Sequence, residues 1–130
     1  MAVSTQIQAD IAQALWNAER DAAPIDPPTN DPNDAFEIQL INIRKRLGEG
    51  AKVVGHKVGL ASEAMQKMMG VGEPDYGHLL DTMQYHEHTP IDTSTLCYPR
   101  VEVEVGFILG KDMPAGNCTM EDVIDGIEWV

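Results

Sequence analysis

The segment from Pro99 to Gly110 constrains the fold most, because it alternates β-branched and charged residues. Its sequence, Pro-Arg-Val-Glu-Val-Glu-Val-Gly-Phe-Ile-Leu-Gly, is typical of a β-strand. Successive side chains of a strand point to opposite faces, so Arg100, Glu102 and Glu104 are predicted on one face and the valines on the other. Neighbouring carboxylates repel each other unless water or a cation relieves them, and Mg²⁺ and Mn²⁺ prefer oxygen ligands. The pair is therefore either half of a metal site or a solvated strand face.

Composition limits the classes of function that this chain can serve. With 130 residues, of which 43% are hydrophobic, the chain is large enough to bury a core. Its net charge of -12 opposes binding to nucleic acid or to an anionic membrane. The amino terminus does not read as a signal peptide and no run is long enough to span a membrane, so a cytoplasmic location is expected. Cys97 and Cys118 lack the Cys-x-x-Cys spacing and are expected to be reduced thiols.

Two amphipathic helices joined by a linker are predicted in the first fifty residues. Thr5 and Gln8 have the spacing of a capping box, and a helix is expected from there to about residue 22. Prolines and polar residues at 23–33 predict an extended linker. A second helix is predicted from Asp34 to a stop signal at Gly48, with its basic residues as partners of the helix dipole. The apolar stripe of this helix is formed by Phe36, Leu40, Ile43 and Leu47.

Strand and helix patterns alternate after residue 50. The valines at 53–58 predict a strand, which Gly55 and Gly59 interrupt on either side of Lys57. Glycines at these positions allow a ligand or another backbone to approach closely. A short helix is expected after the cap residue Ser62, and glycines with a proline predict a loop over residues 70–77.

The last part of the chain contains a second helix signal. Thr119 and Asp122 have capping-box spacing, and a helix is expected from there to Val130 without a stop signal. His86 and His88 lie in a polar loop, where histidines usually face water, and they are not expected to bind metal.

Three segments carry the remaining motifs. They read Gly-His-Lys-Val-Gly-Leu at 55–60, Gly-Glu-Pro-Asp-Tyr-Gly-His-Leu-Leu-Asp-Thr-Met at 72–83, and Pro-Arg-Val-Glu-Val-Glu-Val-Gly-Phe-Ile-Leu at 99–109. In this order and spacing they resemble the 2-keto-4-pentenoate hydratase family, also called 2-hydroxypenta-2,4-dienoate hydratase, of the fumarylacetoacetate hydrolase superfamily. The resemblance runs from the first helix to Val130.

The resemblance implies an α+β fold. Amino-terminal helices would precede part of a rolled, mixed β core of the fumarylacetoacetate hydrolase type. Residues 1–50 would form a helical region with its linker at 23–33, and residues 51–130 the first part of a catalytic domain. Because the family's third metal carboxylate would follow Val130, the chain is expected to be an amino-terminal half, and a homo-oligomer is expected by analogy.

The resemblance also implies a metal centre and a catalytic pair. Glu102 and Glu104 would hold a divalent metal, Mg²⁺ or Mn²⁺. Lys57 would act as a proton donor or electrostatic partner, and Asp75 as a base or water-orienting group. From the residues alone, Lys57 also reads as a surface lysine and Asp75 as a turn residue after Pro74.

Two further residues are expected to bind substrate. Arg100 would add positive charge near the substrate carboxylate, or would neutralise the two glutamates instead. Leu80, in the second of the three segments, is the other candidate for substrate binding.

The implied reaction is the addition of water to a 2-hydroxy-2,4-dienoate, giving a 4-hydroxy-2-oxo acid in the meta-cleavage catabolism of aromatic or steroid rings. The partner would be this small anionic substrate, with no nucleic acid and no membrane. Two alternatives stay open. One is the related 4-oxalocrotonate-type decarboxylase, and the other is an inactive fragment that acts as an interaction module.

Overall fold

The computed structural model describes residues 5–28 and 32–130, in which helices and short strands alternate. The helices are α1 (Thr5–Arg20), α2 (Pro32–Gly48), α3 (Glu63–Met69) and α4 (Met120–Gly126). The strands are β1 (Val53–Gly59), β2 (Asp75–Leu80), β3 (Ile108–Leu109) and β4 (Ile127–Trp129). Short 3-10 turns lie at Asp81–Met83 and Thr93–Thr95. This mixture agrees with the predicted α+β class.

The chain divides into two compact units, Met1–Pro99 and Arg100–Val130, which are described separately. The predicted division at residue 50 stays a prediction. None of the helices in the described part of the chain is long and apolar enough to cross a membrane.

In the first unit, α1 and α2 pack against each other through small and branched residues. Ala12 of α1 is buried, and so are Ile38 and Ile43 of α2. Asn42 Nδ2 donates a hydrogen bond of 2.9 Å to the carbonyl oxygen of Ala12. The predicted stripe on α2 included Ile43 but omitted Ile38, because the packing of α1 selects the buried face.

The basic end of α2 lies against α1. Lys45 Nζ is 3.6 Å from the centroid of a Trp16 ring, and the Arg46 guanidinium carbon is 5.1 Å from it. Arg46 also pairs with Glu19 at 2.6 Å. Cation–π contacts and an ion pair therefore link the two helices, whereas the sequence predicted only a helix-dipole role for these bases.

The strands β1 and β2 form an antiparallel pair in the first unit. The loop predicted at 70–77 is wrong from Asp75 onward, because pairing with the distant β1 outweighs the local turn signals. Leu80, at the end of β2, is 1% exposed and belongs to the core. The paired positions are Val53 with Leu80, Gly55 with Leu79, His56 with His78, Lys57 with Gly77, Val58 with Tyr76, and Gly59 with Asp75.

Two short helices begin at the caps that the sequence predicted. Ser62 Oγ accepts a hydrogen bond of 3.3 Å from the Met65 N–H, and α3 ends at Gly70 in the left-handed conformation. Thr119 and Asp122 form a reciprocal capping box at the start of α4, and the Thr119 N–H lies 2.8 Å from the Asp122 carboxylate. Local hydrogen bonding therefore fixes both helix starts.

In the second unit, β3 pairs with β4 in antiparallel orientation. The helix predicted to run to Val130 is wrong, because α4 ends at Gly126 and β4 follows it. The Gly110 N–H donates a hydrogen bond of 3.0 Å to the carbonyl oxygen of Gly126. Pairing with β3 thus replaces further helical turns.

The strand predicted over Pro99–Gly110 is wrong for most of its length. Within the described residues, only Ile108 and Leu109 of this segment lie in a strand. Val101, Val103 and Val105 are 96%, 99% and 70% exposed. A strand needs a neighbour to accept and donate its backbone hydrogen bonds, and β-propensity alone does not supply one. The predicted separation of charged and valine faces depended on a strand that residues 101–107 do not form.

Candidate active site

Lys57 and Asp75 lie on the same face of the β1–β2 pair. Directly opposed residues of an antiparallel pair share a face, and so do alternate residues along one strand. Lys57 is opposite Gly77, and Asp75 is opposite Gly59, so Lys57 and Asp75 are diagonal neighbours across the strands. Both residues are exposed. The register brings together the lysine and the carboxylate that the sequence predicted as catalytic.

Each of these two charged residues faces a glycine. The Asp75 carboxylate lies over Gly59, with its Cγ 3.3 Å from the position that a Cβ would take there. The corresponding position at Gly77 is 3.7 Å from Gln39 Nε2. Because both paired positions, Gly59 and Gly77, are glycines, no side chain at these two positions separates Lys57 from Asp75.

Aromatic and imidazole rings lie on the other face of the pair. The ring centroids of His56 and His78 are 4.8 Å apart, and Tyr76 stacks on Phe36 of α2 at 5.2 Å. The Nδ1 atom of His78 is buried and has no hydrogen-bond partner in the described part of the chain. These rings contact one another on the face opposite to Lys57. The alternation of Tyr76, His78 and Leu80 is a strand signal that the loop prediction did not use.

A cavity of about 460 Å³ lies between α1, α2 and β2. Most of its lining is apolar, and neither Lys57 nor Asp75 contributes to it. The predicted catalytic pair therefore lies outside this cavity. The lining residues are Ile11, Leu15, Glu19, Pro28, Ala35, Ile38, Gln39, Asn42, Ile43, Arg46, Gly77, His78 and Met83.

Glu102 and Glu104 lie in the irregular segment that precedes β3, and both are exposed. Across residues 5–28 and 32–130, no group of three or more His, Cys, Asp or Glu side chains is arranged to hold a metal ion. The donor chemistry of the pair nevertheless suits Mg²⁺, which is commonly held by one or two carboxylates and keeps several waters. The two glutamates therefore fit a metal with only part of its ligands from this segment.

The other predicted site residues lie in different surroundings. Arg100 is exposed at the start of the second unit. Leu80 is buried at the end of β2, where it packs in the core of the first unit. Their roles in substrate binding stay predictions. Cys97 and Cys118 are free and exposed, in agreement with the expected reduced thiols.

Similarity to known proteins extends over nearly the whole chain, although no protein-family model matches the sequence. The chain is 37% identical over 133 residues to a 2-keto-4-pentenoate hydratase of Paraburkholderia xenovorans, covering 98% of this chain and 49% of that protein. It is 40% identical over 125 residues to a 2-oxo-hept-4-ene-1,7-dioate hydratase of Escherichia coli, covering 92% and 47%. The chain belongs to the 2-keto-4-pentenoate hydratase family. It spans about half the length of the curated relatives that it matches.

Two solved structures of a 4-oxalocrotonate decarboxylase from Pseudomonas putida G7 have the same fold as this hydratase-family chain. The complex with calcium and acetate gives a TM-score of 0.89 at 30% identity and covers 97% of this chain and 51% of the other. The complex with magnesium and adipate gives 0.87 at 31% identity, covering 98% and 50%. The predicted family fold is therefore confirmed over nearly all of this chain.

Proposed function

We propose that this chain is part of a metal-dependent hydro-lyase that adds water to a 2-hydroxy-2,4-dienoate and forms a 4-hydroxy-2-oxo acid. The observation that carries the proposal is the β1–β2 register, in which Lys57 and Asp75 are diagonal neighbours on one face. Similarity to named hydratases over 98% of the chain supports the reaction class. We propose that the complete enzyme acts in meta-cleavage catabolism and assembles as a homo-oligomer.

Lys57 and Asp75 supply an acid and a base on this face. In the proposal, the Lys57 ammonium donates a proton to the dienoate or offsets its negative charge. The Asp75 carboxylate accepts a proton or orients the attacking water. Positioned proton donors and acceptors of this kind accelerate reactions by about 10²-fold to 10⁴-fold.

Glu102 and Glu104 would hold the divalent metal, Mg²⁺ or Mn²⁺. The calcium and magnesium in the decarboxylase structures support a divalent ion. The acetate and adipate in the same structures support the binding of a small molecule that carries a carboxylate group. The bound metal would supply Lewis-acid stabilisation of negative charge on the substrate oxygen. Arg100 would attract the substrate carboxylate, and Leu80 would support the binding region from the core.

The test is turnover of 2-hydroxypenta-2,4-dienoate by the protein with Mg²⁺, followed by mass-spectrometric detection of the hydrated product. The second candidate is a decarboxylase, which the TM-score of 0.89 to 4-oxalocrotonate decarboxylase favours. Release of CO2 from 2-oxo-3-hexenedioate, with no turnover of the pentadienoate, would establish the decarboxylase and overturn the hydratase.

Metal binding is measured separately by calorimetric titration with Mn²⁺. We expect weak binding, because residues 5–28 and 32–130 contain no group of three or more side chains arranged to hold a metal ion. Glu102→Ala should abolish this binding, and Lys57→Ala should leave it unchanged. Absence of binding to the parent chain would favour the third alternative, a non-catalytic interaction module.

Lys57→Ala should lower kcat by about 10²-fold to 10⁴-fold, because it removes the proposed proton donor. The matched control is Lys52→Ala, which removes another exposed lysine just before β1. Its backbone N–H, which donates to the Asp81 carboxylate at 2.9 Å, is retained in the variant. Unchanged kcat in Lys57→Ala would remove Lys57 from the mechanism.

A further inference from the structure

The side-chain space of Gly59 is occupied by the Asp75 carboxylate. A Cβ built on Gly59 would collide with Asp75 Oδ1 and would lie only 3.3 Å from its Cγ. We propose that Gly59 is a positioning residue for Asp75, because the missing side chain leaves the space in which the carboxylate lies. The proposal rests on the proposed function, in which Asp75 acts on the substrate or on water.

The backbone at position 59 does not itself require glycine. The described glycines with positive φ are Gly50, Gly70 and Gly116, and Gly59 is not among them. Alanine can therefore adopt the backbone conformation found at this position. What alanine cannot do is share its methyl position with the Asp75 carboxylate, so the requirement is one of space.

The main chain next to Gly59 is held in place. Leu60 has a φ of 53°, which a leucine rarely adopts, and its carbonyl oxygen accepts a hydrogen bond of 2.8 Å from Gln66 Nε2. On the other side, Gly59 is paired with Asp75 in the antiparallel ladder. A carboxylate can turn about one side-chain bond more readily than this main chain can shift. We therefore expect a methyl at position 59 to turn Asp75 away from its present orientation.

A matched control lies on the same strand and the same face. Gly55 is four residues from Gly59 and is paired with Leu79. A Cβ at Gly55 would lie 3.8 Å from Leu79 Cδ1, which is an ordinary van der Waals contact. Gly55→Ala adds the same methyl and the same backbone restriction without meeting a charged side chain.

The structural test measures the Asp75 χ1 angle by NMR three-bond couplings in the parent chain, Gly59→Ala and Gly55→Ala. We expect a changed χ1 rotamer in Gly59→Ala and the parental rotamer in Gly55→Ala. This readout needs no activity. An unchanged Asp75 rotamer in a folded Gly59→Ala, with amide shifts moving along β1 and β2 instead, would overturn the proposal.

Stability provides a second measurement if Gly59→Ala folds poorly. In the Asp75→Ala background the carboxylate is gone, so Gly59→Ala should be tolerated. The double variant should therefore have the same melting temperature as Asp75→Ala alone. A double variant that is destabilised as much as the single Gly59→Ala would show that the methyl acts on something other than the carboxylate.

The kinetic test is a double-mutant cycle between positions 59 and 75. Gly59→Ala should lower kcat roughly tenfold to a hundredfold through misplacement of Asp75, and it should have no further effect in Asp75→Ala. Independent, additive losses of kcat would overturn the positioning role. If Asp75→Ala keeps full turnover while Gly59→Ala still turns the Asp75 rotamer, the catalytic role of Asp75 fails and the steric relation stands.

Discussion

The strand β1 and the segment Val101–Phe107 each contain three valines within seven residues, yet only the first pairs with another strand, β2. Composition alone would predict the opposite, namely a strand in the second segment and none in the first. Glycines interrupt β1 and β2, whereas valines alternate with glutamates at the start of the second segment. The difference lies in the neighbours. β1 and β2 satisfy each other's backbone groups and bury Leu80, whereas the described residues offer Val101–Phe107 no strand partner. Strand formation is thus decided by long-range pairing more than by local composition.

The largest expected effect is on the free energy of unfolding, where a substitution in the core of the first region should cost far more than one in the second region. Leu80→Ala should lower the free energy of unfolding by about 2–5 kcal/mol, because it leaves a cavity at a position that is 1% exposed. Val103→Ala, at a position that is 99% exposed, should change it by less than about 0.5 kcal/mol. Urea titration followed by circular dichroism measures both values. Equal losses would mean that Val103 is buried in solution and that the contrast between the regions is false.

Hydrogen exchange should show the same contrast without any substitution. Paired amides of β1 and β2 should exchange at least roughly 100-fold more slowly than those of Val101–Phe107, because only the former must open a ladder before they exchange. Exchange followed by NMR or mass spectrometry resolves the two segments. Comparable protection of Val101–Phe107 would reveal a strand partner for it in solution.

The smallest effect concerns α4, whose start depends on local hydrogen bonds rather than on strand pairing. The hydrogen bond from the Thr119 hydroxyl, followed by that from its backbone N–H, lowers the pKa of Asp122 below its ordinary 3.8. Since the folded pKa is the lower one, the cap stabilises α4 above the ordinary pKa and is lost as pH falls through the folded value. The Thr119 amide resonance should report this loss in an acid titration. Asp122→Asn is the control and should remove the acid transition at Thr119, whereas an identical transition in this variant would assign it to another group.

Local chemistry explains which parts of the fold the sequence could predict. Ser62, Thr119 and the stop at Gly48 each act within one helical turn, and all three predictions are confirmed. The predicted end of α4 and the predicted strand over Pro99–Gly110 were wrong, because both depend on pairing with a strand that is distant in the sequence. No local pattern encodes such a partner.

The candidate site divides in the same way. Lys57 and Asp75 could be singled out by family resemblance, but their shared face follows from the register of two strands, one of which was predicted as a loop. The contact of the Asp75 carboxylate with Gly59 joins two paired positions of that register, and neither segment alone carries a sequence signal for it. The roles of Glu102 and Glu104 stay predictions because the metal geometry depends on more ligands than their own segment supplies.

The contact between Trp16 and the basic end of α2 has a practical consequence for spectroscopy. The chain has two tryptophans, and each of the two units contains one of them. Trp16 is half-buried against Lys45 and Arg46, whereas Trp129 is 65% exposed in β4. In Trp129→Phe the remaining emission would come from Trp16 and would report the unfolding of Met1–Pro99. In Trp16→Phe it would come from Trp129 and would report the unfolding of Arg100–Val130. A single chain thus carries two intrinsic fluorophores with which the melting of each unit can be followed by itself.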